Sequence, residues 1–505
     1  MKMVKSLLLG SAAGLVAVAG AQAADLPVKA KPVEYVKICT LYGDGFYYIP
    51  GTDTCLKLGG YVRADYGWNT TGARTPHYSG SAGAQDRTVS PYSTRHRLNM
   101  QIDTRTQTAY GTLRTFTSAH LQNENGEDTT NASRAFIQWA GFTFGRTASF
   151  TDPPGSMGDS GFRSIFQTQN QSDTGANGVN QIAYTWELGN GMTLSVGADE
   201  RRQRGIFNAS AGSLAIGANP NNAMFGTNPG PTSAGQHPGP WVAYKVNQAW
   251  GQFGVAAVAN HLSAVNYTAT PGIAGYAPTA PCIQQPGTTW CGYPKDEWGW
   301  AVLSGIEIKL PWIAQGDRIG GYFNYGVGAP RFSGGSNLAS PSLYGSGNTV
   351  ALGWITDAVF LNGTGFEQTT AWTAAAAYEH YWVRNFSTTV YGTYTDMSYS
   401  DTVVNGRWFC GGPGAAAQGN VNVPLASTCD PGFKYWTVGT HTDWFPVSGF
   451  RLGIDVLWVQ IEPNLTGPVT LARFQNRPQG VYTVEKEGIL AVAARAQRSF
   501  PAGGE

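Results

Sequence analysis

Ser93–Thr104, STRHRLNMQIDT, sorts into two lists when read at every second position. Arg95, Arg97, Asn99, Gln101 and Asp103 fall on one side, and His96, Leu98, Met100 and Ile102 on the other. Successive side chains of a strand point to opposite faces, so this stretch is a ribbon with one polar and one apolar face. The pattern recurs along the chain. In 56–68, Leu56, Leu58, Val62, Ala64, Tyr66 and Trp68 oppose Lys57, Tyr61, Arg63 and Asp65. In 296–310, Trp298, Trp300, Val302, Ile306, Ile308 and Leu310 oppose Glu307 and Lys309. In 449–461, Leu452, Ile454, Val456 and Trp458 oppose Arg451 and Asp455.

The chain opens on a stretch with the layout of a secretory signal. Lys2 and Lys5 precede the apolar run Leu7–Ala19, and Ala21-Gln22-Ala23 is a small-x-small cleavage site. That run is shorter than the ~20 residues a helical membrane span needs. No later stretch is an uninterrupted apolar run of that length. Two possibilities remain: an exported soluble protein, or a closed barrel, the other structure that pairs every backbone group inside a membrane. Charged residues make up 13% of the chain, about half the usual share, while glycine numbers 66 and aromatics reach 12%. That balance suits barrel strands better than a soluble enzyme surface. The 33 basic and 32 acidic residues nearly cancel, so nucleic acid is not expected as a partner.

Strands crossing an apolar band need about ten tilted residues each. Sixteen segments qualify: 56–68, 92–104, 108–121, 131–139, 142–147, 180–188, 191–200, 240–246, 250–262, 296–310, 317–327, 367–380, 385–396, 434–444, 449–461 and 488–500. Segment 349–358 is also strand-like and could alter the tally. The connections alternate in length. Short ones are expected near 105–107, 140–141, 189–190, 247–249, 311–316, 381–384 and 445–448, and long ones near 69–91, 122–130, 148–179, 201–239, 263–295, 328–366, 397–433 and 462–487. An up-and-down barrel with both ends on the short-turn side has this asymmetry. The expected fold is therefore an all-β transmembrane antiparallel barrel of about 16 strands. Tyr66, Trp68, Trp139, Trp186, Trp298 and Trp458 lie near strand ends on the apolar faces, where membrane-interface rings belong. A soluble sandwich explains the alternation equally well but gives no reason for tryptophan at strand ends.

Three segments resemble the porins of alphaproteobacteria, the rhizobial and brucella type: Glu34–Tyr66, EYVKICTLYGDGFYYIPGTDTCLKLGGYVRADY; Arg134–Phe150, RAFIQWAGFTFGRTASF; and Gly488–Phe500, GILAVAARAQRSF. The resemblance implies a sixteen-stranded barrel of the Gram-negative outer membrane, a homotrimer that passes small hydrophilic solutes and ions, with its third loop folded inward. It also gives the terminal aromatic Phe500 a role in assembly, although here Pro501–Glu505 follow it. The expected layout is a signal over 1–23, a periplasmic segment over 24–55, the barrel over 56–500 and a tail over 501–505.

A sixteen-stranded barrel is too wide for side chains to fill, so selectivity needs an intruding element and fixed charge. The third loop offers Asp152, Asp159 and Asp173, and the expected lumen faces of the first four strands offer Arg63, Arg95, Arg97, Arg114 and Arg134. An acidic loop facing that basic arc would put a transverse field across the waist. The bland reading is turn-capping aspartates and wall-wetting arginines. Six cysteines in an exported chain suggest disulfides, and proximity pairs Cys39 with Cys55, Cys282 with Cys291, and Cys410 with Cys429, one of 15 pairings. No C-x2-C pair or nearby histidine at ligand spacing supports a metal site. Gly158-Asp159-Ser160-Gly161 has the form of a serine-protease nucleophile segment, but no histidine sits in the context that chemistry carries around its base. No H-E-x-x-H helix and no P-loop is present. The expected function is thus passive diffusion, with no catalytic residue and no cofactor, in contact with outer-membrane lipid. Its rivals are a channel specific for one anion or sugar, and an exported β-rich adhesin or enzyme.

Overall fold

The computed structural model describes residues 37–71, 75–76, 90–157, 161–166, 178–200, 202, 205–209, 237–264, 293–334, 342–345, 347–361, 364–410, 428–471 and 480–500. It divides into two units, Met1–Leu56 and Lys57–Glu505. The expected signal and the tail after Phe500 lie outside the described residues.

The first unit is small. A disulfide joins Cys39 to Cys55, with Cα atoms 6.0 Å apart, and Tyr47-Tyr48 pairs antiparallel with Cys55-Leu56. Cys39, Phe46 and Cys55 are buried together, with Tyr42 and Tyr48 packed against them. Closing a loop of this length removes unfolded-chain entropy worth about 3 kcal/mol. Cys429 is disulfide-bonded as well. The side chains of Cys282, Cys291 and Cys410 lie outside the described residues.

The second unit carries the wall. Sixteen antiparallel strands follow in chain order: β1 (Cys55–Trp68), β2 (Tyr92–Thr108), β3 (Gly111–Glu124), β4 (Glu127–Trp139), β5 (Phe142–Thr147), β6 (Val179–Gly189), β7 (Met192–Asp199), β8 (Gly239–Gln248), β9 (Gly251–Leu262), β10 (Glu297–Lys309), β11 (Arg318–Val327), β12 (Thr370–Val383), β13 (Phe386–Ser398), β14 (Phe433–Val447), β15 (Phe450–Pro463) and β16 (Glu487–Phe500). Each pairs with its neighbours in sequence, and β1 pairs with both β2 and β16. The closing register sets Asp65 against Arg495 and Gly60 against Phe500. A closed sheet leaves no edge carrying unpaired backbone groups, which hydrocarbon demands.

All sixteen expected segments are wall strands, their ends moved by a few residues. One connection is different. The expected long loop 122–130 is the two-residue turn Asn125-Gly126, with φ of 53° and 93°. Both central residues of a type I′ turn need the left-handed region, and Asn-Gly supplies it, so β3 and β4 extend into what looked like loop. Segment 349–358 leaves the count unchanged. Its strand Thr349–Gly353 pairs with Ser342–Tyr344 and Gly480–Val484 in a separate small sheet.

Alternation sorts the wall into two surfaces. Val62, Met100, Ile182, Val302, Phe323, Val390, Ile454 and Leu490 are exposed, whereas Arg63, Asp65, Arg95, Asn99, Glu307, Glu379 and Asp455 are buried. A soluble fold does not expose so broad an apolar surface, whereas a lipid-facing wall does. The aromatics Tyr66, Trp68, Trp139, Trp186, Trp298, Trp458 and Phe500 are all exposed. Tyr110, Trp250, Trp312, Trp382 and Trp444, beside the short turns, complete one girdle. Arg498 breaks the apolar run of β16, and the structure explains it: at the short-turn end its guanidinium donates to the Ser448 carbonyl, where a long cation reaches the interface.

The long-loop half of β13–β16 departs from the sequence expectation. There the inner face is apolar. Phe433, Tyr435, Leu457, Val459, Ile461, Ile489 and Ala491 are buried in one cluster with Val350, Leu352, Trp354, Phe409, Val469 and Tyr482 from the loops. Those loops therefore fold onto the wall as packed structure. The composition of 330–349 read as loop, yet Pro330–Ser333 is a helical turn with proline at its first position.

Ile454 lies on the lipid-facing surface, 53% exposed. Replacing it by arginine is expected to cost about 2–4 kcal/mol of folding stability, read by denaturant titration in phospholipid vesicles.

Candidate functional site: the waist of the lumen

The candidate waist is formed by the described parts of the connection between β5 and β6, residues 148–157, 161–166 and Gly178, and the inner wall around them. The loop leaves β5 and docks on β9–β15. Its first support is a bare patch of backbone. Gly254 and Gly305 face each other across β9 and β10. A Cβ on Gly305 would sit 2.2 Å from the Pro154 carbonyl oxygen, and one on Gly254 would sit 2.8 Å from the Pro154 ring. Glycine inside a strand weakens it and marks a close approach of another backbone, and Pro153-Pro154 makes that approach here.

Farther on, the loop's apolar side chains enter the wall. Met157, Phe162, Ile165 and Phe166 are fully or nearly fully buried, in one cluster with Tyr322, Ala377 and Tyr391. Polar clamps fix the register. Asp455 accepts from Ser164 Oγ at 2.7 Å and from the Ile165 amide at 2.8 Å, while Tyr391 donates to its other oxygen at 2.7 Å. Arg318 donates to the Gly161 carbonyl at 2.7 Å and to Glu379 at 2.7 Å. Arg163 pairs with Glu379 and, at 3.1 Å, with Asp443. His441 lies 3.0 Å from Asp443 and 3.5 Å from Asp455.

The charge pattern differs from an acidic loop facing a basic arc. The described part of the loop brings a cation, Arg163, to an acidic wall of Glu379, Asp443 and Asp455. The reason is the inward face of β12, β14 and β15, whose carboxylates need partners once buried. Asp152 alone of the three loop aspartates is described, within electrostatic reach of Arg134 and Lys245. Asp159 and Asp173 lie outside the described residues. Of the string Gly158–Gly161 only Gly161 is described. Its need for glycine is steric, since a Cβ there would meet the Ser156 carbonyl oxygen at 1.7 Å.

The arginine arc is present on the opposite wall. Asp65 is fully buried between Arg95 Nε at 2.9 Å and Arg495 Nε at 2.6 Å, with Arg63 Nε at 3.5 Å. Arg97 donates to Gln122 at 3.0 Å. Arg114 and Arg105 share Asp103, and Arg114 also donates to Gln138 at 3.0 Å. Arg134 donates to the Ser133 carbonyl at 2.8 Å beside Gly178. In this arc the guanidiniums outnumber the carboxylates Asp65 and Asp103 between them. Sequence reading had put Asp65, Glu307 and Asp455 on polar faces but gave them no task. Arg163, Arg318, Glu379, Asp443, Gly254 and Gly305 carried no signal beyond charge or glycine inside the pattern.

A family model described as a porin subfamily matches residues 25–491. The chain belongs to that subfamily. Over 205 residues it is 37% identical to the porin Omp2b of Brucella suis, covering 39% of this chain and 52% of that protein. Over 212 residues it is 36% identical to the Omp2b of Brucella abortus, covering 39% and 54%. The chain thus spans about half the length of the curated relatives it matches. Among solved structures it is similar to the outer membrane channel DcaP of Acinetobacter baumannii, with a TM-score of 0.52 at 14% identity, covering 90% of this chain and 99% of that one. At that identity the likeness concerns the fold alone. This porin-family chain is a protein of the Gram-negative outer membrane.

Gly305→Val introduces a strand-forming residue but removes the seat of Pro153-Pro154. Asp455→Ala leaves the Ile165 amide and the Ser164 and Tyr391 hydroxyls without their acceptor. Both variants are expected to free the loop and raise single-channel conductance in planar bilayers. Unchanged conductance in both would mean the loop does not set the waist.

Proposed function

We propose that this porin-family chain forms a water-filled channel for passive diffusion of small hydrophilic solutes, with a waist that favours anions. One observation carries the reading. The inward loop is seated on β9–β15, and on the arc of β1–β4 Arg105, Arg114 and Arg134 stay part-exposed over the buried Arg63, Arg95 and Arg97. Solutes cross down their gradients, and no bond is made or broken. Low-dielectric walls focus the field of Arg63, Arg95, Arg97, Arg114 and Arg134 into the narrowed solvent column. Asp152 tempers that field near Arg134. On the far side Glu307, Glu379, Asp443 and Asp455 face Arg163, Arg318, Arg451 and His441, so that wall adds little net charge.

The remaining expectations fit the same picture as proposals. Residues 1–23 direct export and are removed, residues 24–55 lie in the periplasm, residues 501–505 form a tail, and three copies assemble in the outer membrane. The exposed aromatics Tyr66, Trp68, Trp139, Trp186, Trp298, Trp458 and Phe500 contact the lipid interface.

In planar bilayers across a potassium chloride gradient, the zero-current potential is expected to have the sign of an anion-preferring pore. Arg97→Glu and Arg114→Glu are each expected to move it toward cations. A wild-type pore that prefers cations would sink the anion reading. A refolded protein that never raises membrane conductance would sink the channel itself.

A further inference from the structure

Most lumen carboxylates are tied into hydrogen bonds or ion pairs. Asp65, Asp103, Asp455, Glu307 and Glu379 each have at least one guanidinium or hydroxyl partner. Glu187 is an exception. Among the described residues it makes no hydrogen bond or ion pair, and Lys245 is within electrostatic reach of Asp152 but makes neither contact with it. The two stand in one row. Thr193 on β7 is the direct cross-strand partner of Glu187 on β6 and of Lys245 on β8. Two inter-strand steps put their Cα atoms about 10 Å apart. Both line a cavity of about 510 Å³ at the short-turn end of the lumen, with Thr143, Thr193, Ser195 and the ring of Phe150. Phe150 stacks on Trp241, centroids 5.3 Å apart, and is held as a fixed apolar plate.

A lysine and a glutamate at this spacing could meet by rotation about their side-chain bonds, yet they do not form a salt bridge. Thr193 lies between them in the row, Ser195 beyond it is held by a 2.9 Å hydrogen bond to Thr185, and a cavity of this volume accommodates a small solute. We propose that this cavity is a subsite for small zwitterions carrying both a carboxylate and an ammonium group, such as short amino acids. The carboxylate faces Lys245, the ammonium faces Glu187, and the Thr193 hydroxyl bonds the solute between them. Charge-assisted hydrogen bonds at both ends are stronger than neutral ones, so a solute with both charges dwells longer than one with either alone. The subsite sits beside the start of the inward loop, where a solute that has passed the arginine arc arrives next. The proposal rests on the channel reading for its role in permeation but not for binding.

The test uses four solutes of similar size: β-alanine, propionate, propylammonium and propionamide. In planar bilayers β-alanine is expected to interrupt single-channel current with longer dwell times than the other three. Lys245→Gln and Glu187→Gln are each expected to shorten the β-alanine dwell at least about tenfold, the worth of one charge-assisted bond. The double exchange Lys245→Glu with Glu187→Lys is expected to restore much of it, because the row keeps one charge of each sign. Propionate or propionamide dwelling as long as β-alanine would overturn the proposal, and so would single variants with wild-type dwell. Titration calorimetry of β-alanine into the full-length protein in detergent separates this failure from failure of the channel. Binding without conductance keeps the subsite and removes the channel, whereas conductance without binding does the reverse.

Discussion

Hydrocarbon offers no partner to a backbone amide, and every feature of this chain follows from that constraint. A sheet in lipid must close on itself, so β1 must find β16 across more than four hundred residues of sequence. With sixteen strands, the closed wall encloses a lumen too wide for side chains to fill. The interior is left with a surplus of space. The protein fills it unequally. Loops pack onto the inner face of β13–β16 at the long-loop end, the described parts of the inward loop lie on β9–β15, and on the arc of β1–β4 Arg105, Arg114 and Arg134 stay part-exposed.

The third loop illustrates how a flexible segment is held inside a wet tube. Hydrophobic burial alone gives no register, because it is non-directional. Direction comes from Asp455, whose two oxygens gather a backbone amide and two hydroxyls, and from Arg318 and Arg163. Close approach comes from Gly254 and Gly305, which give up strand stability so that Pro153-Pro154 can lie on backbone. Buried carboxylates and guanidiniums cost several kcal/mol each in lost hydration, and the clamps offset that cost only as a complete set. Removing one member strands the rest.

Much of the wall was legible in the sequence because its code is local. A period of two shows within eight residues, and lipid outside with water inside makes the contrast sharp in 56–68, 92–104 and 449–461. Trp68, Trp186 and Trp458 mark strand ends for the same reason. The tight turn Asn125-Gly126 was written in two letters but was outweighed by the polar composition around it. The waist was legible only in part. Arg63, Arg95, Arg97, Arg114 and Arg134 stand on the arc where alternation put them. The loop's seat was not readable, because Ser164 and Asp455 are 291 residues apart and no local pattern links them. The acidic wall of Glu379 and Asp443 is likewise assembled from distant strands, and it recruits Arg163 where aspartates were expected to matter.

Val350, Leu352, Trp354 and Phe409 at the mouth and Met157, Phe162 and Phe166 of the inward loop belong to one apolar cluster. Apolar cohesion fades on cooling, whereas ion pairs as deeply buried as those of Glu379 and Asp443 are little screened by dissolved salt. Cold therefore loosens mouth and waist together, while added salt leaves both nearly as they were.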